Sequence, residues 1–156
     1  MTEELTKLVA QHSLFRGIPD AMAILVAGCA HNEVFAAGEN LLTEGGGADT
    51  LYLLRRGRIA LAVHAPGRGA LTIETLEMGA AVGWSWLFPP YRWHFDATAL
   101  EPVGVIAVDA RCLRAKADAD PIFGYTLMQR VSQMMLERLQ ATQMRLLDLY
   151  GDVSPT

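Results

Sequence analysis

Residues 38–59 read GENLLTEGGGADTLYLLRRGRI, a stretch in which short apolar runs alternate with glycine-bearing turns. The runs Leu41–Thr43 and Thr50–Leu54 have the length of strands and are bounded by turn residues, whereas the helices of globular domains are usually longer. Gly45 and Gly57 fall at the junctions, where a positive φ or a close approach of two strands is needed. This stretch therefore predicts strands joined by tight turns.

The same texture extends from Asn32 to Asp109. No helix-length segment separates the runs, which disfavours an alternating parallel α/β topology. Short strands at even spacing are typical of a β-sandwich or a small barrel. The further strands predicted in this region are Glu33–Phe35, Arg58–His64, Ala70–Leu76, Trp93–Ala99 and Val103–Val108.

The two flanking regions are predicted to be helical. Apolar residues recur at helical spacing from Leu5 to Val9, and Asp20 is placed to cap a short helix over Ala21–Ala30. A further short helix is predicted at Arg111–Ala119, and a long helix follows it. We expect one domain, with N-terminal helices at 1–31, a β-barrel at 32–109 and C-terminal helices at 110–150.

The long helix carries a heptad-like repeat. It has no glycine or proline between Gly124 and Gly151, and at 1.5 Å per residue it would be roughly 40 Å long, more than a small barrel can cover. The helix either packs on its own domain or, as we prefer, pairs with a second copy in a homodimer, with Gly151 as its C-cap. The expected seam residues are Met128, Val131, Met135, Leu139, Thr142, Leu146 and Leu149.

Composition sets further bounds. The chain has 156 residues, with 13 Lys and Arg against 17 Asp and Glu, and its mild acidity gives no sign of binding to nucleic acid or to a membrane surface. No apolar run is long enough for a membrane span and no signal peptide is visible, so we expect a cytoplasmic protein. Two cysteines, Cys29 and Cys112, are too few for a disulfide scaffold or a cysteine-only zinc site.

Several motifs of this sequence occur together in one known family. They are Leu14-Phe15-Arg16-Gly17-Ile18-Pro19, Gly38-Glu39-Asn40-Leu41-Leu42-Thr43-Glu44-Gly45, Asp49-Thr50-Leu51-Tyr52-Leu53-Leu54, Gly57-Arg58-Ile59, and the pair Gly79 and Gly83. In this order they resemble the cyclic nucleotide-binding domain family, best known from the bacterial catabolite activator proteins. The resemblance implies a mainly β fold, an antiparallel jelly roll or double-stranded β-helix barrel, with short N-terminal helices and a long C-terminal helix.

The resemblance also assigns a phosphate-binding segment to residues 79–97, which we call the cassette. Family members have a glutamate after the second cassette glycine, which binds the ribose hydroxyl, and an arginine further on, which neutralises the cyclic phosphate. Here Trp84 and Trp93 occupy those two positions. Because burial of a phosphate monoanion without a cation is costly, we expect weak or absent binding of cAMP and cGMP.

The register around Trp93 depends on period-two alternation. Trp93 and Phe95 fall on the apolar face of the predicted strand, which should lie inside the barrel, while Arg92 and His94 fall on the opposite face. A bulge at Pro89–Tyr91 would return Arg92 to the pocket, because a one-residue slip turns a side chain to the other face. A genuine cyclic nucleotide binder that uses Arg92 and backbone amides is therefore an alternative.

Three interpretations of the aromatic cassette stay open. The indoles either fill a former pocket as extra core, or line a remodelled pocket for a flat or apolar effector, or form an exposed patch for a partner protein. In the second case Ser85, Arg92 or His94 would hold the polar end of the effector. The candidate ligand-binding residues are Gly83, Trp84, Ser85, Trp86, Leu87, Tyr91, Arg92, Trp93 and His94.

No arrangement typical of catalysis or metal binding is visible in the sequence. The histidines His12, His31, His64 and His94 are scattered, and no spacing sets two of them on one helix face. A nucleophile elbow is also not found. We expect no enzyme activity, no metal and no cofactor.

DNA-binding members of the family carry a helix-turn-helix after the long helix. This sequence runs only to Thr156, and Arg138 and Arg145 fall on one stripe that would flank a dimer seam, so we expect no unaided DNA binding. The expected function is that of a stand-alone regulatory domain. It either senses a non-standard small effector or acts as a ligand-free module for protein contacts.

Overall fold

The computed structural model describes residues 2–151. Two helices precede the strands, and two follow them. The elements are α1 (Thr2–Gln11), α2 (Asp20–Ala27), β1 (Ala30–Phe35), β2 (Asn40–Leu42), β3 (Thr50–Arg56), β4 (Ile59–Ala65), β5 (Gly69–Leu76), a 3₁₀ turn (Ser85–Leu87), β6 (Asp96–Ala99), β7 (Val103–Asp109), α3 (Ala110–Ala119) and α4 (Pro121–Gly151).

The strands form two antiparallel sheets. One sheet has the order β1-β7-β3 and the other the order β2-β6-β4-β5. Strands that are distant in sequence are neighbours in both sheets, as in a jelly roll, where the chain crosses between layers. The predicted fold class, mainly antiparallel β with N-terminal helices and a long C-terminal helix, is confirmed.

The core lies between the sheets and extends under the helices. Leu53 of β3, Ile59 of β4 and Ile106 of β7 are fully buried. Phe123 and Leu127 of α4 close the core from the outside and are also buried. Each such side chain contributes about 1.5–3 kcal/mol through removal of apolar surface from water, so the barrel and the first half of α4 stabilise each other.

Three predicted boundaries are wrong. The helix α2 ends at Ala27, and β1 already begins at Ala30, because its ladder with β7 extends to the pair Ala30 and Val108. The strand predicted to begin at Trp93 begins at Asp96 instead. Residues before Asp96 leave the ladder because their main chain bonds to the loop over Gly45–Ala48.

The two halves of α4 differ in their surroundings. Val131 is fully buried in the protomer's own core, so it does not lie on an intersubunit seam as predicted. Met135 is half-buried against the same core. The other predicted seam residues, at 128, 139, 142, 146 and 149, are exposed. The segment that follows Gly151, residues 152–156, lies outside the described residues.

Gly124 lets α3 and α4 approach each other closely. A Cβ atom at this position would lie 2.7 Å from the carbonyl oxygen of Ala117, closer than carbon and oxygen can approach. The helix therefore tolerates a glycine in its first turns because the packing requires it. None of the helices in residues 2–151 is long and apolar enough to cross a membrane.

Cys29 and Cys112 form a disulfide bond, with their Cα atoms 5.8 Å apart. The bond joins the short connection between α2 and β1 to the first turn of α3. A single bond is not a scaffold, in agreement with the cysteine count, but sequence reasoning did not foresee this pair. Only the fold brings the two residues together across 83 positions of sequence.

Candidate functional site

The first part of the cassette is fixed to the edge of β3. The amide of Leu54 donates to the carbonyl of Ala80 at 2.8 Å, and the amide of Val82 donates to the carbonyl of Tyr52 at 2.9 Å. These bonds hold residues 80–82 in an extended path against the sheet. The chain then turns at Gly83 with a φ of +76°, a value that side chains other than glycine rarely adopt.

The turn at Gly83 is closely covered by aromatic rings. A Cβ atom at Gly83 would lie 2.8 Å from Cζ3 of Trp93 and 2.9 Å from Cζ of Phe95. Trp93 is only 4% exposed. Its indole therefore lies on the backbone of the turn, in a space that no further side chain can share.

The 3₁₀ turn that follows is also buried. Trp86 is fully buried, and its indole Nε1 donates to the carbonyl of Gly83 at 3.3 Å. Ser85 is 7% exposed. Because the indole N–H is satisfied internally, Trp86 is held as a core residue and not as a surface anchor. An exposed aromatic patch therefore does not include Trp86 or Trp93.

Arg92 and His94 lie on the outer surface. Both side chains are exposed, and Arg92 donates to the carbonyl of Gly45 at 3.4 Å. The structure does not bring them together with Gly83 and Ser85, because alternation along the chain turns Trp93 inward and its neighbours outward. Neither side chain therefore lines a pocket beside Ser85, and a role of Arg92 or His94 in holding the polar end of an effector stays a prediction.

The main chain of the cassette is anchored on the glycine loop. The amide of Gly45 donates to the carbonyl of Trp93 at 2.8 Å, and the amide of Trp93 donates to the carbonyl of Gly46 at 3.0 Å. A third bond runs from the amide of Ala48 to the carbonyl of Tyr91 at 2.8 Å. These bonds fix the direction in which the indole of Trp93 enters the barrel.

The sequence profile of the cyclic nucleotide-binding domain matches residues 32–120. The chain belongs to the cyclic nucleotide-binding domain family. The match covers the barrel and the helix that follows it, so the resemblance seen in the sequence is confirmed.

Solved structures show the same fold. A Geobacter metallireducens protein whose name assigns it to cyclic nucleotide binding is 27% identical, with a TM-score of 0.76 over 88% of this chain and 97% of that one. A cyclic nucleotide-binding domain from Methylobacillus flagellatus is 21% identical, with a TM-score of 0.79 over 94% and 83%. The sensor domain of the transcriptional regulator DNR from Pseudomonas aeruginosa is 13% identical, with a TM-score of 0.70 over 89% and 93%. No curated protein matches this chain in sequence.

Within this cyclic nucleotide-binding domain, α4 contacts the cassette through Arg138. Its guanidinium carbon lies 5.6 Å from the centre of the Trp84 ring, a distance at which a cation is attracted to the ring face. Its Nη2 lies 3.5 Å from Oε2 of Glu74 on β5, and Nη2 of Arg145 lies 3.6 Å from the other oxygen of Glu74. Two guanidinium groups therefore share one carboxylate.

Arg138 is largely withdrawn from solvent. Its side chain is 15% exposed, and Nη2 has no hydrogen-bond partner within residues 2–151. Burial lowers the pKa of Arg138 below its usual range, and the charge of Glu74 opposes that shift. Since arginine stays charged at any physiological pH, the site holds a buried cation that is incompletely hydrogen-bonded.

Sequence reasoning missed the role of Arg138. It placed Arg138 and Arg145 beside a dimer seam, whereas both contact Glu74 within the same protomer. The signal was present in their spacing of seven residues, which puts both on one face of the helix. The sequence did not show that this face lies on β5.

A cleft borders this contact. It has a volume of about 290 Å³ and lies between the turn before α2, the start of the cassette and α4. Its apolar walls include Leu14, Ala80 and Met134, and its charged groups include Arg130 and Arg138. Small-molecule sites have this character, mostly apolar with a few placed polar groups, and this volume is at the small end of their range.

His12 lies beside Ala80, at the start of the cassette. Its Nδ1 accepts a hydrogen bond from the amide of Leu14 at 3.1 Å, and the residue is 7% exposed. Burial lowers the pKa of His12, while the carbonyl groups of Ala80 and Leu54 act in the opposite direction. The native domain therefore holds this imidazole in its neutral form at neutral pH.

A second arginine reaches the cassette from α3. The guanidinium carbon of Arg114 lies 4.0 Å from the centre of the Tyr91 ring, and its Nη1 donates to the carbonyl of Trp86. Residues 85–91 are thus held between the barrel and α3. No group of three or more histidine, cysteine or acidic side chains placed to hold a metal ion occurs within residues 2–151.

Proposed function

We propose that this chain is a regulatory domain that does not bind cAMP or cGMP in the family's usual way. It accepts instead a small anionic effector in the cleft beside Arg138. The support comes first from the cassette. The indole of Trp93 lies against Gly83, and Trp84 replaces the glutamate expected for a ribose hydroxyl. A cyclic phosphate placed at this turn would lack the arginine that family members supply from the position of Trp93, which makes its burial costly.

The environment of Arg138 is the observation that supports an anionic effector. Its Nη2 is buried without a hydrogen-bond acceptor, and its only near carboxylate, within residues 2–151, is the one it shares with Arg145. A carboxylate or phosphate group in the adjoining cleft would supply the missing acceptor and charge. Glu137, which also lines the cleft, disfavours an effector of high negative charge.

In this proposal, α4 transmits the binding of the effector to a partner. The helix contacts the effector cleft through Arg138 and then continues for three turns with exposed side chains. A change in the cleft would therefore alter the position of this part of the helix, which we propose pairs with a second copy or a partner protein. No catalytic step is assigned to the domain. Its proposed compartment is the cytoplasm, which fractionation of expressing cells would test.

Calorimetric titration of the full chain tests the proposal. The probes are cAMP, cGMP, inorganic phosphate and a series of small mono- and dicarboxylates. We expect no cyclic nucleotide binding below millimolar concentration and saturable binding of at least one anion. Arg138→Gln should weaken that binding at least tenfold, because a charge-assisted hydrogen bond is lost. Arg92→Gln, which removes an exposed arginine of the cassette, should leave it unchanged.

Two other outcomes would overturn the proposal. Micromolar cAMP binding that Arg92→Gln abolishes would establish the alternative of a genuine cyclic nucleotide binder. No binding of any probe, together with a ligand-free mass in a native mass spectrum of freshly purified protein, would favour the ligand-free interaction module. The same spectrum would report the number of subunits.

A further inference from the structure

The disulfide between Cys29 and Cys112 joins two segments that other contacts already hold together. The amide of Asp109 donates to the carbonyl of Cys29 at 2.9 Å. On the same side of α3, Nζ of Lys116 donates to the carbonyl of Leu25 at 2.8 Å. These bonds do not involve sulfur, so reduction of the disulfide removes neither their donors nor their acceptors. The two thiols would then stay within reach of each other, which favours closure of the same bond again.

The disulfide also lies where a reagent can reach it. It borders a surface cleft of about 640 Å³, which is lined among others by His31, Thr50 and Arg111. Cys112 is half-buried, whereas Cys29 is 8% exposed. Attack by an external thiol is therefore directed to the sulfur of Cys112.

The position of Cys112 suits a thiolate. It is the third residue of α3, where the positive end of the helix dipole and the neighbouring Arg111 favour a negative sulfur. The carboxylate of Asp109, which accepts a hydrogen bond from the amide of Cys112 at 3.1 Å, opposes this effect in part. Of the two thiols, Cys112 is thus the more reactive one, and it leaves readily from a mixed disulfide.

The segment that the disulfide ties down is the one that holds the cassette. Arg114 follows Cys112 by two residues, and it contacts both the ring of Tyr91 and the carbonyl of Trp86. We propose that Cys29 and Cys112 form a reversible dithiol–disulfide modification site, and that its oxidation state determines how firmly α3 holds residues 85–91. The partner in the exchange is a dithiol, either a small molecule or a protein with two neighbouring thiols.

The exchange transfers two electrons. One thiolate of the reductant attacks the sulfur of Cys112, forms a mixed disulfide and releases Cys29 as a thiolate, which takes a proton from solvent. The second thiol of the reductant then loses its proton and attacks the reductant's other sulfur, the one that is bonded to Cys112 in the mixed disulfide. This step releases Cys112 as a thiolate and leaves the reductant oxidised to a disulfide.

Thiol counting on the native protein tests the site. The full chain is equilibrated with reduced and oxidised dithiothreitol in varied ratios, trapped with iodoacetamide and weighed. We expect two free thiols in reducing mixtures and none in oxidising ones, with a midpoint that does not change with protein concentration. Reduction should lower the Tm by about 5–15 °C. The double variant Cys29→Ser and Cys112→Ser should have the lower Tm in every mixture.

The single variants test the assignment of the reactive sulfur. Iodoacetamide should modify Cys112 in Cys29→Ser on the order of tenfold faster than Cys29 in Cys112→Ser. Equal rates, or a disulfide that opens only in denaturant, would contradict a reversible site. So would thiols that stay free in the most oxidising mixture.

Hydrogen exchange measured by mass spectrometry tests the effect on the cassette. Reduction should speed exchange of the amides in residues 85–91 several-fold. Arg114→Gln should show fast exchange there in both oxidation states while its Tm still responds to reduction. Arg68→Gln, which removes an exposed arginine in the turn between β4 and β5, should behave like the original protein. Identical exchange of residues 85–91 in the two states would overturn the coupling.

Discussion

The cassette and the second half of α4 both carry large aromatic or apolar side chains outside the strands, but the cassette buries most of them and the helix exposes them. Trp86 and Trp93 are buried in the cassette, whereas Leu139, Leu146 and Leu149 are exposed on the helix. The difference teaches that apolar content alone does not tell core from interface. The cassette is closed by its own side chains, whereas the apolar side chains on this part of the helix contact solvent in the protomer and would be covered by the proposed pairing.

Removal of a buried indole from the cassette should cause the largest loss in the free energy of unfolding. Trp93→Ala leaves a cavity against Gly83 and should lower the free energy of unfolding by about 3–5 kcal/mol. Urea unfolding followed by circular dichroism measures the loss. The half-buried Trp84→Ala should cost clearly less, since part of its ring already contacts solvent. Equal losses would mean that the cassette is not packed around Trp93.

A methyl group at the cassette turn should have the next largest effect. Gly83→Ala combines a positive φ with a contact at 2.8 Å to Trp93, so we expect a loss of about 2–4 kcal/mol in urea unfolding. Gly38→Ala is the matched control. Gly38 has a φ of +90° but open space around its Cβ position, so the cost there should be only about 1–2 kcal/mol.

A pH-dependent effect should arise from His12 below the cassette. Because its folded pKa is lowered, the unfolded chain binds a proton that the native domain does not, once the pH falls below about 6.5. The contribution of His12 to the free energy of unfolding is fully present above that pH. It falls by up to about 1.4 kcal/mol per unit as the pH drops toward the folded pKa.

Unfolding in urea between pH 7.5 and 5 measures this slope. His12→Asn keeps an acceptor for the amide of Leu14 but removes the titration, so its slope over the same range should be smaller. An unchanged slope in His12→Asn would show that other groups account for the pH dependence.

Charges on the second half of α4 should affect stability least and assembly most. Leu139→Glu combined with Leu146→Glu should change the unfolding of the protomer by less than about 0.5 kcal/mol, because both side chains are exposed. Sedimentation velocity should nevertheless show a dimer converted to a monomer. The control, Gln140→Glu with Gln143→Glu, adds the same charge without removing apolar surface and should stay dimeric. A monomeric starting protein would contradict the proposed seam.

The barrel could be predicted because its signals are local. The runs at Leu41–Leu42 and Thr50–Leu54 are each followed within three residues by a glycine, which is typical of a tight turn between strands. This pattern can be recognised from neighbouring residues alone. The departure of the cassette from its family was visible for the same reason, since it is a matter of which residues stand at Trp84 and Trp93.

Contacts between distant segments could not be predicted in this way. The strand expected at Trp93 begins later because the main chain there bonds to the loop at Gly45 and Gly46, and local alternation holds no information about that loop. The placement of Val131 in the core and of Arg138 over Trp84 likewise depends on where α4 lies. Periodicity tells which residues share a helix face but does not tell which surface that face meets.

The carboxylate of Glu74 has a consequence for how this domain evolves. Because it lies between Arg138 and Arg145, its loss alone would leave two guanidinium groups close together without a counter-charge. A change at Arg138 would relieve much of that repulsion, so the effects of the two substitutions are not additive. Among descendants of this sequence, positions 74 and 138 should therefore change together, and a lineage that loses the glutamate first should quickly lose the arginine.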